Sequence, residues 1–291
     1  MKKLTIGIPT YNDYDGLYFT LQSIRMYHSE ILNDIEFIII DNNPTSNHGK
    51  KNEELTKWVK EPIQYIKYEE NRGTAAAKNQ VFKYANTPYV MCIDSHIMIQ
   101  PKSLKKLINY FDNGKDEGNL IQGPLVYDDF ISISTHFDLV WRGDMWGVWA
   151  TDQRGINIES PPFEIPAQGM GLFSCRKDSW LEFSPLFKGF GGEEGYIHEK
   201  YRKHGKKVMC LPFLRWMHRF ERPNGVPYTL TLDEKVRNYY IGFSELGKDT
   251  KEITEHFKDR YDPEVLKKLH KDSLREVIAY YSKNEFTRRT K

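Results

Sequence analysis

Apolar runs alternate with helical patterns through the first 112 residues of the chain. The runs predict strands over residues 4–9, 35–41, 63–68 and 89–94. Between them, apolar residues recur every three or four positions, as on one face of a helix, over residues 17–27, 53–60 and 73–85. Such alternation predicts an α/β fold, with a parallel sheet and helices on both of its faces.

The pattern becomes less regular after a predicted helix at residues 103–112. Strands are expected in "NLIQGPLVYD" and "KKVMCLP", and "GMGLFSCRKDSW" is typical of a strand that turns into a helix. In "GFGGEEGYIHEKYRKHG", a glycine turn precedes a helix that stops at Gly205. We expect one domain over residues 1–232 and a charged, helical C-terminal extension over residues 233–291 packed on it.

Polar residues follow three of the predicted strands. Their segments are Thr10-Tyr11-Asn12-Asp13, Asp41-Asn42-Asn43-Pro44 and Asp94-Ser95-His96. Each could by itself be an ordinary surface turn, since turns favour Asn, Asp and Pro. Ligands of open α/β sheets bind outside the carboxyl ends of the strands, so three such ends together indicate a binding site.

Asp94 and His96 are two positions apart at the end of the fourth strand. Strand side chains alternate between faces, so we expect these two to point together, with Ser95 turned away. Either Asp94 and His96 together form half of a metal site, or His96 only caps the end of a strand.

Charge and cysteine content narrow the class of protein. There are 42 Lys and Arg against 40 Asp and Glu, a formal net charge of +2, but basic residues crowd residues 200–222. This stretch is either a phosphate-binding surface or a solvated helix face. The three cysteines lie in apolar stretches without a paired motif, which indicates buried thiols in a reducing compartment. No apolar run approaches the roughly 20 residues of a membrane span, so we expect a cytoplasmic protein.

The motifs together resemble a known family. In order they are "IPTYND", "IDNNP", "NRGTAAAKNQ", "DSH" and "GGEE". Over about residues 3–220, they are similar to the family 2 type glycosyltransferases. The resemblance implies a GT-A (Rossmann-like) fold with a mixed, mainly parallel sheet, and a UDP-sugar as donor.

A closer resemblance exists within that group. "DSH", "GMGLFSCRKDSW", the glycine-rich "GGEE" segment and "MHRF" are similar in order to the catalytic domain of polypeptide N-acetylgalactosaminyltransferases. It implies a metal site made by Asp94, His96 and His218. One carboxylate and two imidazoles suit Mn²⁺ better than Mg²⁺. For His218 a structural role stays open, with Arg215 and Arg219 forming a phosphate clamp.

The resemblance also implies a donor-binding site. Asp41 would hydrogen-bond the uridine, Thr10 and Tyr11 would line its pocket, and Asp94 and Arg219 would face the phosphates. Tyr11 could equally be a packing residue. Lys78 is also an implied donor-binding residue, which could neutralise phosphate or pair with Asp94, and the alternative is an ordinary surface helix residue. The other implied donor-binding positions are Arg72, Gly73, Gly191 and Gly192.

Glu193 and Glu194 are the implied catalytic pair. In inverting relatives the second acid of this motif is the general base, whereas retaining relatives with "DSH" have an amide there. Glu194 therefore leaves the anomeric outcome open, and Glu193 would contact the donor sugar or the acceptor. The alternative is that both only favour the start of a helix, where carboxylates are stabilised.

Aromatic and irregular segments supply weaker candidates for the acceptor side. Trp141, Trp146 and Trp149 fall within nine residues and are candidates for a wall against a sugar or base, with at least one of them in the core. Residues 153–168 are rich in Pro and Gly and are a candidate lid.

Three function classes remain in competition. The first is a metal-dependent glycosyltransferase that acts on an acceptor hydroxyl. A nucleotidyltransferase is disfavoured because "IPTYNDYDG" has no basic, glycine-rich phosphate loop, and the third class is a non-catalytic nucleotide-sugar binding protein. The sequence determines neither the acceptor nor the oligomeric state.

Hydroxymethylated pyrimidines of phage-type DNA are one alternative acceptor, which the basic stretch and the tail "FTRRTK" would fit.

Overall fold

A computed structural model of the chain describes residues 1–70, 73–220 and 225–289. The strands are β1 (Leu4–Thr10), β2 (Ile35–Asp41), β3 (Ile63–Lys67), β4 (Tyr89–Ile93), β5 (Ile97–Ile99), β6 (Leu120–Gln122), β7 (Leu125–Val126), β8 (Ile133–Ser134), β9 (His136–Arg142), β10 (Met145–Ala150), β11 (Phe163–Glu164), β12 (Leu172–Arg176), β13 (Val208–Cys210) and β14 (Trp216–His218). The α-helices are α1 (Tyr14–Tyr27), α2 (Asn47–Trp58), α3 (Thr74–Tyr84), α4 (Ser103–Asp112), α5 (Glu193–Lys203), α6 (Leu232–Leu246), α7 (Lys251–Phe257) and α8 (Pro263–Arg289).

The large sheet has the strand order β11-β13-β6-β12-β4-β1-β2-β3. From β4 to β3 all neighbours are parallel, because helices return the chain to the same edge after each strand. β12 runs antiparallel to both β4 and β6, and β13 is parallel to β6. The prediction of an α/β fold with a mainly parallel sheet is confirmed.

Side chains of the sheet divide between two apolar clusters. In β4, Met91 and Ile93 lie in one cluster while Val90 and Cys92 lie in the other, as alternation along a strand requires. The first cluster includes residues of α1, α2 and α4, and the second includes residues of α3, α5 and α6. Helices therefore cover both faces, as predicted, and α3 comes so near β1 that a Cβ on Gly7 would lie 2.0 Å from a Val81 methyl carbon.

Two segments lead the chain from the large sheet into a smaller one, and the second of them was predicted as one strand. The strand predicted over residues 89–94 is β4, which ends at Ile93, and after a turn the chain enters β5, which belongs to a separate sheet of order β5-β14-β7-β8. The strand predicted in "NLIQGPLVYD" is divided between β6 in the large sheet and β7 in the small one. The division falls at Gly123, where a Cβ would lie 1.8 Å from the carbonyl oxygen of Leu214.

The C-terminal helices pack against the hairpin of β9 and β10. Trp146 of the hairpin shares an apolar cluster with side chains of α6, α7 and α8, among them Tyr239, Phe257 and Leu266. In the described part of the chain, no helix combines the length and the apolar character that crossing a bilayer requires.

Candidate active site

Asp94, His96 and His218 converge at the junction of the two sheets. Their potential ligand atoms all lie within 4.8 Å of one another. The Nε2 atoms of the two imidazoles are 3.1 Å apart, and His218 Nε2 is 3.5 Å from Asp94 Oδ2. Neighbouring ligands of an octahedral ion with bonds of about 2.1 Å are about 3 Å apart, so these separations fit a shared divalent cation.

Two separate elements deliver these ligands. Asp94 and His96 lie in the turn between β4 and β5, and His218 ends β14, where it pairs with Ile97. The backbone N–H of Arg219 also donates to the carbonyl of His96 at 3.2 Å. The reason we gave for the approach of Asp94 and His96, alternation along one strand, is wrong, because both belong to a turn. Ser95 does not turn away from His96 either, since it is buried with its Oγ 3.3 Å from His96 Nδ1.

Lys78 is a buried partner of Asp94. Its ammonium lies 3.3 Å from Asp94 Oδ1 and donates to the carbonyl of Met170 at 2.7 Å, and the residue is only 3% exposed. Burial would raise the pKa of the Asp94 carboxyl, but the Lys78 charge and the His218 hydrogen bond outweigh it and hold that pKa far below its usual range. Of the alternatives for Lys78, the structure thus favours the pairing with Asp94, and the alternative of a surface helix residue is wrong.

Asp13 belongs to the first of the three polar strand ends, but the sequence indicated no specific role for it at this site. It precedes α1 as its N-cap and accepts a hydrogen bond from the backbone N–H of Gly16. Its other oxygen lies 2.8 Å from His96 Nδ1 and accepts from Ser95 Oγ at 2.7 Å. The only local signal is an acid directly before a helix, which is also the signature of a simple cap.

The glycine turn before α5 lies against α6. Gly191 and Gly192 have φ values of 101° and 88°, which residues with a side chain rarely adopt. A Cβ on Gly191 would lie 2.6 Å from the Lys235 side chain, and one on Gly192 would lie 3.1 Å from Asn238. Asn238 is buried and donates to the carbonyls of Lys188 and Gly191 at 2.8 and 2.9 Å. The shape of this turn is therefore set by α6.

Glu193 and Glu194 begin α5 directly after this turn. Glu193 is only 2% exposed, whereas Glu194 is half-buried. Burial, and then the neighbouring Glu194 carboxylate, raise the pKa of Glu193 well above its usual range. Burial also raises the pKa of Glu194, while the charges of Lys78 and Lys235 oppose that shift. Two carboxyl groups with raised pKa values lie within the electrostatic reach of Lys78, which also faces Asp94.

Asp41 is surrounded by protein donors. It is fully buried, and its oxygens accept from the side-chain amide of Asn52, the hydroxyl of Tyr65 and the backbone N–H of Asn43 at 2.8, 2.8 and 2.9 Å. This geometry makes Asp41 a support for the loop after β2. Its direct contact with uridine stays a prediction.

The other donor-side candidates lie near this edge of the sheet. Thr10 is buried, and its hydroxyl has no hydrogen-bond partner among the described residues. The Tyr11 ring meets that of Tyr228 edge-on, with centroids 6.1 Å apart. Gly73 has φ 96°, and a Cβ there would lie 2.1 Å from the Gly189 carbonyl oxygen, so its close approach is to the glycine turn. Arg72 lies outside the described residues.

The three tryptophans do not form one wall. Trp146 is buried, and Trp141 packs on Tyr239 with ring centroids 4.9 Å apart. Trp149 instead packs on Phe137, at 4.3 Å between centroids. Trp141 and Trp146 therefore anchor the hairpin to the C-terminal helices, and among the three only Trp149 lies outside that cluster.

The candidate lid and the basic stretch are tied to the body of the protein. At the end of residues 153–168, Gln168 is fully buried. Arg215 donates to the carbonyls of Gly155 and Ile156 in this segment. Other basic side chains of residues 200–222 donate to backbone carbonyls, as Lys200 does to Glu182 and Lys206 to Glu117. These contacts favour structural roles for the basic side chains. The "FTRRTK" tail ends outside the described residues.

Residues 5–174 match a family model described as Glycosyl transferase family 2. An uncharacterized glycosyltransferase of Methanocaldococcus jannaschii is 29% identical over 116 residues, which are 39% of this chain and 38% of that protein. The poly(ribitol-phosphate) beta-N-acetylglucosaminyltransferase TarP of Staphylococcus aureus is 29% identical over 111 residues, 38% of this chain and 33% of that protein. The alignments thus span well under two thirds of these relatives.

Solved structures are similar over more of the chain. GalNAc-T7 with UDP, GalNAc and Mn²⁺ has a TM-score of 0.66 at 17% identity, over 88% of this chain and 54% of that one. S. aureus TarS 1–349 in complex with UDP-GlcNAc has a TM-score of 0.54 at 13% identity, over 87% of this chain and 70% of that one. At such identities the likeness concerns the fold, and it confirms the predicted GT-A type.

Proposed function

The chain belongs to glycosyl transferase family 2, and we propose that it transfers a sugar from a UDP-sugar to a hydroxyl group of an acceptor. The observation that carries the proposal is the convergence of Asp94, His96 and His218. Lys78 links that cluster electrostatically to the two acids that begin α5. The neighbours solved with UDP, UDP-GlcNAc, or UDP and GalNAc support a UDP-sugar as donor.

We propose that Asp94, His96 and His218 hold Mn²⁺, with Mg²⁺ as the alternative. Mixed oxygen and nitrogen ligands suit Mn²⁺, and Lys78 keeps Asp94 ionised. The cation would stabilise the negative charge on the leaving UDP. The Mn²⁺ of the GalNAc-T7 structure supports this assignment, as does the "DSH" motif, by which we place the chain near the polypeptide N-acetylgalactosaminyltransferases.

The remaining roles fall to side chains around this cluster. Glu194, half-buried beside Lys78 and Lys235, is proposed to take the proton of the acceptor hydroxyl. Glu193 is proposed to contact the donor sugar, and Thr10 and Tyr11 to line the uridine pocket. If Glu194 acts as the base, the reaction inverts the anomeric configuration, because the acceptor then attacks the donor directly.

The acceptor remains unassigned within this proposal. Within the described residues no contact favours DNA, since Lys200, Lys206 and Arg215 donate to backbone carbonyls of the protein itself. Hydroxymethylated DNA is therefore kept as a test substrate. The domain boundary after residue 232 and the cytoplasmic location also stay predictions from the sequence.

A donor screen tests the proposal. UDP release is measured with UDP-glucose, UDP-galactose and their N-acetyl forms, each with Mn²⁺ and with a chelator. We expect one donor to be turned over only with Mn²⁺, and the His96→Ala variant to lose this release. Unchanged release by His96→Ala would refute the metal site.

The acceptor is tested with the preferred donor. Peptides, glycans and duplex DNA with hydroxymethylated pyrimidines are compared at low and high salt. Transfer to DNA that falls steeply with salt would identify a phosphate-backbone substrate. UDP-sugar binding without release in every combination would favour the non-catalytic class instead.

A further inference from the structure

His96 is held between two groups of different chemistry. Its Nδ1 lies 2.8 Å from a carboxylate oxygen of Asp13, and its Nε2 lies 3.1 Å from the Nε2 of His218. An ionised carboxylate can only accept a hydrogen bond, so the ring proton of a neutral His96 belongs on Nδ1. Nε2 then carries its lone pair toward the cluster of His218 and Asp94.

We propose that Asp13 is a positioning residue, which fixes the ring and the tautomer of His96 so that Nε2 presents its lone pair to the cation. The inference rests on the proposed function and names a residue that acts on the metal site through His96. A histidine ligand whose other nitrogen donates to a carboxylate is oriented and made more basic by it.

Asp13 is itself fixed from several directions. The oxygen that faces His96 also accepts from Ser95 Oγ at 2.7 Å. The other accepts from the Gly16 N–H at 3.2 Å and lies 3.7 Å from Arg219 Nη2. The Asp13 side chain is only 10% exposed and that of His96 only 6%. With both oxygens engaged, the carboxylate cannot rotate away from the imidazole without breaking contacts on the other side.

Positive groups lie around the Asp13 carboxylate. It caps the N-terminus of α1, where the helix dipole favours an anion, and the Arg219 guanidinium is nearby. Arg219 follows the ligand His218 directly, and its backbone N–H bonds the His96 carbonyl. Asp13 and Arg219 therefore join the start of α1 to the turn after β4 and the end of β14, the two elements that carry the ligands.

The Asp13→Asn variant removes the negative charge and the acceptor that faces His96, but it keeps the side-chain cap of α1. Asparagine is as good an N-cap as aspartate, so the amide oxygen can still accept from Gly16. The amide nitrogen then faces Ser95 and His96, and its donation to Nδ1 moves the ring proton to Nε2. Exchanging a carboxylate for an amide next to a histidine is known to select the wrong tautomer in this way.

The tautomer and the metal affinity are measured separately. Nitrogen NMR of labelled protein without metal is expected to find the His96 proton on Nδ1 in the wild type and on Nε2 in Asp13→Asn. The Mn²⁺ dissociation constant is expected to rise about 10- to 100-fold in that variant. Asp15→Asn is the matched control, since it removes the same charge from the exposed side of the same helix turn and should leave both readouts unchanged.

Different results would overturn the role of Asp13 and the proposed function. A wild-type His96 protonated on Nε2 would overturn the inference without any variant, so the test does not depend on whether Asp13→Asn folds. The inference is also overturned if the Asp13→Asn variant has the same His96 tautomer and the same Mn²⁺ affinity as the wild type. A wild type that neither binds Mn²⁺ nor releases UDP would refute the proposed function, while the NMR readout would still decide the role of Asp13.

Discussion

Two adjacent glutamates at the start of α5 differ in exposure. Glu193 is buried, and Glu194 is partly open to solvent. A general base must be reachable by the acceptor and must lose its proton at the working pH. Glu194 meets the first requirement better, and although burial raises its pKa, the charges of Lys78 and Lys235 limit that rise. At the scale of single residues, Glu194 is thus the better candidate for the base.

The Glu194→Gln variant tests that role. The amide keeps the shape of the side chain but cannot take a proton, so kcat should fall by about 10²- to 10⁴-fold while the KM for the donor changes little. Glu199→Gln in the same helix is the control and should retain near wild-type turnover. Undiminished kcat in Glu194→Gln would remove it as the base and favour a retaining route.

Buried Glu193 should make stability depend on pH. Its pKa is raised in the folded protein, so the folded state holds a proton that the unfolded chain has lost above about pH 4.3. Stability therefore falls as pH rises from about 5 toward 8. Glu193→Gln should lack this loss, and its advantage over wild type should grow by about 1 to 3 kcal/mol across that range. Urea unfolding with a chelator present measures it, and parallel pH profiles would contradict it.

At the scale of elements, the turn between β4 and β5 marks where sequence reasoning failed. In "YVMCIDSHIMIQP", only "DSH" separates two apolar runs, yet the runs belong to two sheets, because β5 pairs with β14 more than a hundred residues later. Such pairing leaves no local signal. By contrast, β2 and α4 have the predicted bounds, since an uninterrupted apolar run and a clear helical period determine them locally.

The residues of the candidate site also divide into those that a local motif predicts and those that only the tertiary structure reveals. Asp94, His96 and His218 could be named from motifs whose order resembles a family. Asp13 could be named only as part of a polar strand end, and its contact with His96 could not be predicted, because the two residues are 83 positions apart. Asn238 was also missed, since it belongs to a helix without recognisable motifs. Residues that support a site from another element are set by tertiary packing and not by local pattern.

Helix α6 should support the glycine turn through Asn238. Replacing Asn238 with Ala leaves the carbonyls of Lys188 and Gly191 without their donor in a buried place. We expect a loss of about 2 to 4 kcal/mol in the free energy of unfolding and a higher KM for the donor. Asn113→Ala, at an exposed position, is the control and should stay within about 0.5 kcal/mol of wild type. Equal stability of the two variants would contradict the role of α6.

At the scale of the whole molecule, the cluster of Asp94, His96 and His218 joins parts that are distant in the chain. Asp94 and His96 follow a strand of the large sheet, while His218 belongs to the small sheet. A cation that binds all three binds the folded state alone, because the unfolded chain cannot bring them together. Binding should therefore stabilise the protein as a whole and not only its active site.

Thermal unfolding with and without Mn²⁺ measures how much metal binding stabilises the folded protein. At Mn²⁺ concentrations 100-fold above the dissociation constant, the folded state gains about 2.7 kcal/mol, which corresponds to a Tm increase of about 5 °C. His96→Ala and His218→Ala should lose most of this increase, since each removes one of three ligands, whereas the exposed His204→Ala should keep it. Thermal unfolding followed by circular dichroism, with Mn²⁺ and with chelator, measures the difference. An equal Mn²⁺-dependent shift in all four proteins would mean that the ion binds elsewhere, because loss of a ligand from the cluster must weaken binding there.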